Sequence, residues 1–143
     1  MTHATLQTLL LLGGACHFGI LLASALVPRV LDWRRELQAL SRLSRHLVWT
    51  HGAFIVLTII GFGAISVLNA RALAGGTPLA RSVCAFIALF WLTRLTIQLF
   101  LFDPRPFLRN TGLKVGYHAL TVVFTYLSAV YAAAAVLPLA MRS

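Results

Sequence analysis

The chain is 143 residues long, 59% hydrophobic and 10% charged, with a mean hydropathy of +0.87 and a net charge of +9. Three acidic residues beside twelve lysines and arginines cannot build the mixed charged surface that keeps a domain of this size dissolved, which excludes an ordinary soluble fold. The apolar residues fall in long blocks, without the alternation of a strand or the single stripe of a soluble amphipathic helix.

Four blocks are long enough to cross a bilayer, since a helix needs about 20 residues to cover a hydrocarbon core of ~30 Å. The first covers residues 6–27 and carries no charged side chain before Arg29. Ala23-Ser24-Ala25 has the form of a signal-peptidase site. No basic segment precedes it, however, and the run is longer than a usual signal core, so it reads as a retained helix. Cleavage there would leave three spans and remove His17. Next, Trp33, Leu37, Leu40, Leu43 and Leu47 recur at helical spacing, with Arg34, Arg35, Gln38, Arg42 and Arg45 in the other directions. The pattern predicts a short amphipathic helix from Leu31 to Leu47 on the membrane surface.

The second span covers residues 47–68, and a turn from Asn69 to Pro78 with Gly75-Gly76 follows it. The third covers residues 82–102 and holds one charge, Arg94. Asp103-Pro104-Arg105-Pro106 ends it, because proline lacks the amide and disfavours the preceding helical turn. The fourth covers residues 115–139. The expected architecture is an all-α integral membrane protein. It is a single-domain, four-transmembrane-helix up-and-down bundle with a short amphipathic interfacial helix in the first loop.

Charge placement orients it. Arg29, Arg34, Arg35, Arg42 and Arg45 lie between spans one and two, and Arg105, Arg109 and Lys114 between spans three and four. Only Arg71, Arg81 and Arg142 lie on the other side. This bias predicts cytoplasmic first and third loops and outward N- and C-termini, in a bacterial-type inner membrane. The basic excess then serves topology and lipid headgroups, and implies no nucleic acid. A weak internal repeat fits two parallel hairpins. Pro28-Arg29 and Pro104-Arg105 close spans one and three, while His51-Gly52 and His118-Ala119 open spans two and four.

Ionisable groups inside a span are costly and mark functional sites by default. At ~1.5 Å per residue, His51, His118 and Gln98 lie about one turn in from the cytoplasmic side. Arg94 lies one turn deeper, on the face of Gln98 and Trp91, and His17 lies near the midplane. An arginine at mid-span costs ~2.5–3.5 kcal/mol, and no acid occurs in any span. Arg94 is therefore expected to meet Asp103, helix carbonyls with Gln98, or an anionic ligand group such as a haem propionate.

At matched depth on diagonal helices, His51 and His118 are candidate metal ligands, the two axial imidazoles of a haem b iron. The alternative is a pair of interfacial histidines bonded to water. Gly13, Gly14, Gly19, Gly61 and Gly63 would admit a ring or permit close packing. Thr58, Thr121 and Thr125 would orient the imidazoles. Without a Cys-x-x-Cys-His motif, covalent haem attachment is excluded. Cys16 and Cys84 differ in depth by about half a bilayer, too far for a disulfide, and no zinc-ligand spacing appears. His3 and His46 read as surface residues.

Three functions follow. The leading one is electron transfer or quinone handling. There His51 and His118 hold haem b, Arg94 meets a propionate or quinone oxygen, Gln98 and His17 belong to the cofactor site, and His17 assists proton movement. The second is a small transporter or proton-coupled channel with a polar track of His118, Gln98, Arg94 and His17. The third is a ligand-free accessory subunit whose basic first loop docks a membrane-protein partner. The wide lateral surface also suits a homodimer. No nucleophile and base pair up in the sequence, so no catalytic residue is named.

Overall fold

The computed structural model describes residues 2–30, 32–101 and 111–140. In chain order they form α1 (His3–Val30), α2 (Trp33–Glu36), a 3-10 turn (Leu37–Ala39), α3 (Arg42–Leu68), α4 (Ala70–Ala74), α5 (Pro78–Thr96) and α6 (Thr111–Ala140). A π-helical turn, Ile97–Leu101, continues α5. There is no strand among the described residues. Four helices are long and apolar enough to cross a membrane: α1, α3, α5 with its π turn, and α6. The Asp103–Pro106 stop lies outside the described residues.

Two hydroxyl caps set helix starts. Ser41 Oγ accepts from the Ser44 amide at 3.1 Å at the head of α3, and Thr77 Oγ1 accepts from the Ala80 amide at 3.3 Å before α5. Pro78 sits in the first turn of α5, where its missing amide costs nothing. The first cap changes the expected loop. The described part of that expected helix, residues 32–47, is not one continuous helix. One turn of α2 tightens into the 3-10 turn, and Ser41 then starts a new helix. Arg42 to Leu47 thus belong to the long helix α3. The turn from Asn69 to Pro78 also carries structure, because Ala70, Leu73 and Ala74 of α4 are buried and the helix packs on α1.

The helices pair as two hairpins, α1 with α3 and α5 with α6, and backbone contact between hairpins runs mainly through α1 and α6. Glycine lets α1 and α3 approach closely. A Cβ on Gly14 would stand 2.7 Å from Val67 Cγ2 and 3.2 Å from the Val67 backbone nitrogen. One on Gly63 would stand 3.1 Å from His17 Cβ.

The core is confined to one half of the bundle, the half that holds the N-terminus and α4. Its buried side chains run from Leu6 to Ile20 on α1, Ile59 to Ser66 on α3, Ala80 to Trp91 on α5 and Phe124 to Ala135 on α6. In the other half, the basic half, Gln98 is the one buried side chain among the described residues. Elsewhere the helices turn apolar groups outward, including Leu22, Phe54, Leu89, Phe100 and Val122. That surface is far more apolar than a water-soluble monomer tolerates.

Candidate functional site

His17 stands at the floor of the core and is fully buried. Its Nδ1 lies 2.7 Å from the Gly13 carbonyl oxygen, one turn back on α1. Its Nε2 lies 2.9 Å from the indole Nε1 of Trp91 on α5. A carbonyl only accepts and an indole N–H only donates. The proton is therefore on Nδ1, Nε2 accepts from Trp91, and the ring is neutral with both nitrogens occupied. Phe62, Trp91 and Tyr131 close around it edge-on at centroid distances of 6.0, 5.3 and 5.8 Å. The Tyr131 hydroxyl, also buried, donates to Ser66 Oγ. All four long helices meet at this cluster.

A second chain of contacts leads from it toward the basic half. The Phe124 ring stacks on Trp91 at 5.0 Å with an interplanar angle of 28°. The Arg94 guanidinium lies over the other ring partner, 5.8 Å from the Phe124 centroid. Arg94 thus rests on an aromatic face, the arrangement of a cation–π contact. Gln98 turns away from it. Its amide donates to Thr121 Oγ1 at 2.6 Å and to the Tyr117 carbonyl at 3.4 Å. Tyr117 returns a bond from its hydroxyl to the Gln98 carbonyl at 3.1 Å, which ties α6 to the π turn. The extra residue of a π turn displaces the local carbonyls, and Tyr117 takes up one of them.

His51 and His118 are both exposed, but they differ in the face they occupy. His51 is seven, eleven and fifteen residues before Thr58, Phe62 and Ser66, on the stripe of α3 that becomes buried in the core. Its Nδ1 donates to the Leu47 carbonyl at 2.9 Å. With Nδ1 so engaged, Nε2 is the nitrogen that could ligate a metal. His118 instead shares a stripe with Val122, Thr125, Ala129 and Val136, all exposed. Its ring meets Tyr117 at 5.6 Å.

The structure therefore joins His17 to Trp91, joins Gln98 to α6, and leaves Arg94, His51 and His118 exposed at separate points. The expected threonine partners of the histidines turn to their own helices instead. Thr58 donates to the Phe54 carbonyl and Thr125 to the Thr121 carbonyl, each at 2.8 Å. A threonine within a helix commonly bonds the carbonyl one turn back. Gly13, Gly14 and Gly63 serve close packing, whereas a Cβ on Gly19 or Gly61 would meet nothing. Cys16 and Cys84 are free thiols. Trp91 as a partner of His17, and the pair Tyr131 and Ser66, escaped the sequence reading. The small-residue stretch Gly13-Gly14 beside His17 was the available signal of a tight crossing there.

The shape of the basic half decides what these groups can meet. The helices α3 and α5 make little backbone contact and touch through Phe62 with Phe86 and Phe90 at 5.9 and 5.2 Å. Every described cross-hairpin hydrogen bond lies in the core half: Trp91 to His17, Tyr126 to the Leu9 carbonyl, and Tyr131 to Ser66. Toward the basic end the core-facing stripes of α3 and α5 carry His51 and Arg94, and both are exposed. Among the described residues no three His, Cys, Asp or Glu side chains gather as a metal site. No family model, curated protein or solved structure matches this chain.

Proposed function

We propose that this chain is a small integral membrane protein that holds a planar redox amphiphile, haem b in the first instance and a quinone in the second, for electron transfer. The carrying observation is that core-facing stripes stay uncovered in the basic half and present His51 and Arg94 there. In this reading His51, whose Nδ1 donates to the Leu47 carbonyl, would hold the iron through Nε2. Arg94, already seated on the Phe124 ring, meets a propionate or a quinone oxygen. The ligand would lie in a crevice between α3 and α5, with the edge-to-face rings of Phe62, Phe90 and Trp91 as its apolar floor. His118, on the exposed stripe of α6, lies outside this crevice, so one histidine of the chain serves the iron.

Membrane residence rests on the four apolar helices, and the crevice opens toward the cytoplasmic leaflet if the basic loops face inward. The core half supports transport less well. There His17 has no free lone pair, and Leu127, Ile87 and Cys84 pack with no exposed surface.

The deciding experiment is a visible absorption spectrum of the purified protein, oxidised and then reduced with dithionite. A Soret band that shifts on reduction is expected, lost in His51→Ala and retained in His118→Ala. A featureless spectrum in protein produced with ample haem overturns the haem assignment. Quinone in its organic extract, depleted in Arg94→Gln, would then assign the crevice to that ligand.

A further inference from the structure

A cavity lies where α1 ends and α3 begins, away from the proposed crevice. It has a volume of about 620 Å³ and is lined by Ala25, Pro28, Arg29, Asp32, Trp33 and Trp49. That volume falls in the ~300–1,000 Å³ range of small-molecule sites. The two indoles stand edge to face at 5.8 Å and 75° and form an aromatic corner. Asp32 is the one described non-glycine residue with a positive φ, 43°. It occupies the position that caps α2, yet its side chain makes no capping bond. The carboxylate is therefore not used by the helix that it precedes.

From these contents we infer that the cavity binds the headgroup of an amine-bearing zwitterionic phospholipid, of the phosphoethanolamine class. The chain around it is strongly basic, with Arg35, Arg42 and Arg45 nearby in sequence, and Arg29 offers its guanidinium to a phosphate. An anionic headgroup without an amine would leave Asp32 facing negative charge. An ammonium group answers both Asp32 and the aromatic corner, since indole faces attract cations. Tryptophan at this level of a spanning helix also matches the headgroup zone. The acyl chains have a path, because Ala25 is followed one and two turns back along α1 by Leu22 and Phe18, both exposed. A soluble phosphoethanolamine has the same polar chemistry but no use for that strip.

The inference rests on membrane residence and is independent of any ligand in the crevice. Purified protein in mild detergent is titrated with phosphatidylethanolamine and, separately, with phosphatidylglycerol, and retained lipid is read by native mass spectrometry. Preferential retention of phosphatidylethanolamine is expected. Asp32→Asn should erase the preference, since asparagine also tolerates the left-handed backbone. Arg29→Gln should lower retention of both lipids. His51→Ala should leave the preference intact, which separates this site from the crevice. Equal or stronger retention of phosphatidylglycerol overturns the inference. So does an unchanged preference in Asp32→Asn with native helicity by circular dichroism, or displacement of the lipid by soluble phosphoethanolamine at equal concentration.

Discussion

Removing the indole N–H of Trp91 tests how the His17 ring is held. In Trp91→Phe the Nε2 lone pair of a fully buried imidazole loses its donor, and no other donor is bonded to it. An unsatisfied buried acceptor costs ~1–3 kcal/mol, and the smaller ring adds a cavity beside Phe124. A clear drop in thermal stability in detergent is expected. His17→Phe in the same background should then cost less than it does alone, since the orphaned acceptor is already present. Simple additivity of the two changes would show that the bond contributes nothing. The sequence made the burden of a midspan histidine visible, because burial of a polar ring demands partners. It could not reveal the partner, which lies 74 residues away on a helix whose rotation is set by packing. The same limit applies to His51 and His118. Their depths follow from span ends, but their faces depend on which stripe each helix buries.

At the scale of helices, close approach and capping decide where elements lie. Gly14→Ala drives a Cβ within 3.2 Å of the Val67 backbone, so α1 and α3 must separate and the His17 cluster loosens. Overpacking of this kind costs ~1–3 kcal/mol, whereas Gly19→Ala, with nothing within 4 Å, should be neutral or gain from helix propensity. Comparing the two variants in one unfolding assay checks this, and equal effects would remove the close crossing as the cause. Ser41→Ala deletes the cap of α3 and should cost about 1 kcal/mol, visible as fraying at Arg42 to Arg45 in amide exchange. The four long helices were legible because an apolar run of 20 residues has few alternatives. The break at Ser41 was less legible, since the leucine spacing continues straight through it. The short helix α4 was hidden for another reason. Five residues carry no periodicity worth reading, and it is packing on α1 that holds Ala70, Leu73 and Ala74 in place.

For the molecule as a whole, stability and binding divide between the two halves. Side chains such as Ile87 and Leu127 are fully buried, and Leu→Ala or Ile→Ala at such sites typically costs ~2–5 kcal/mol. Leu57 and Leu92 in the basic half are 62% and 53% exposed, so their truncation should cost little. The described cross-hairpin hydrogen bonds all fasten the core half, and a ligand seated between α3 and α5 would add contacts between the hairpins in the basic half. Linkage makes this measurable. A ligand that binds only the folded state stabilises it by ~2.7 kcal/mol at a hundred times its dissociation constant. Titration with hemin should therefore raise the unfolding temperature progressively in the wild type and in His118→Ala. The rise should vanish in His51→Ala, whose own unligated stability should match the wild type because the side chain is exposed. A hemin-dependent rise that survives His51→Ala and disappears in His118→Ala would move the ligand to the outer face of α6 and reject the crevice. No rise in any variant would reject haem as the ligand and leave the quinone arm to be read from the organic extract.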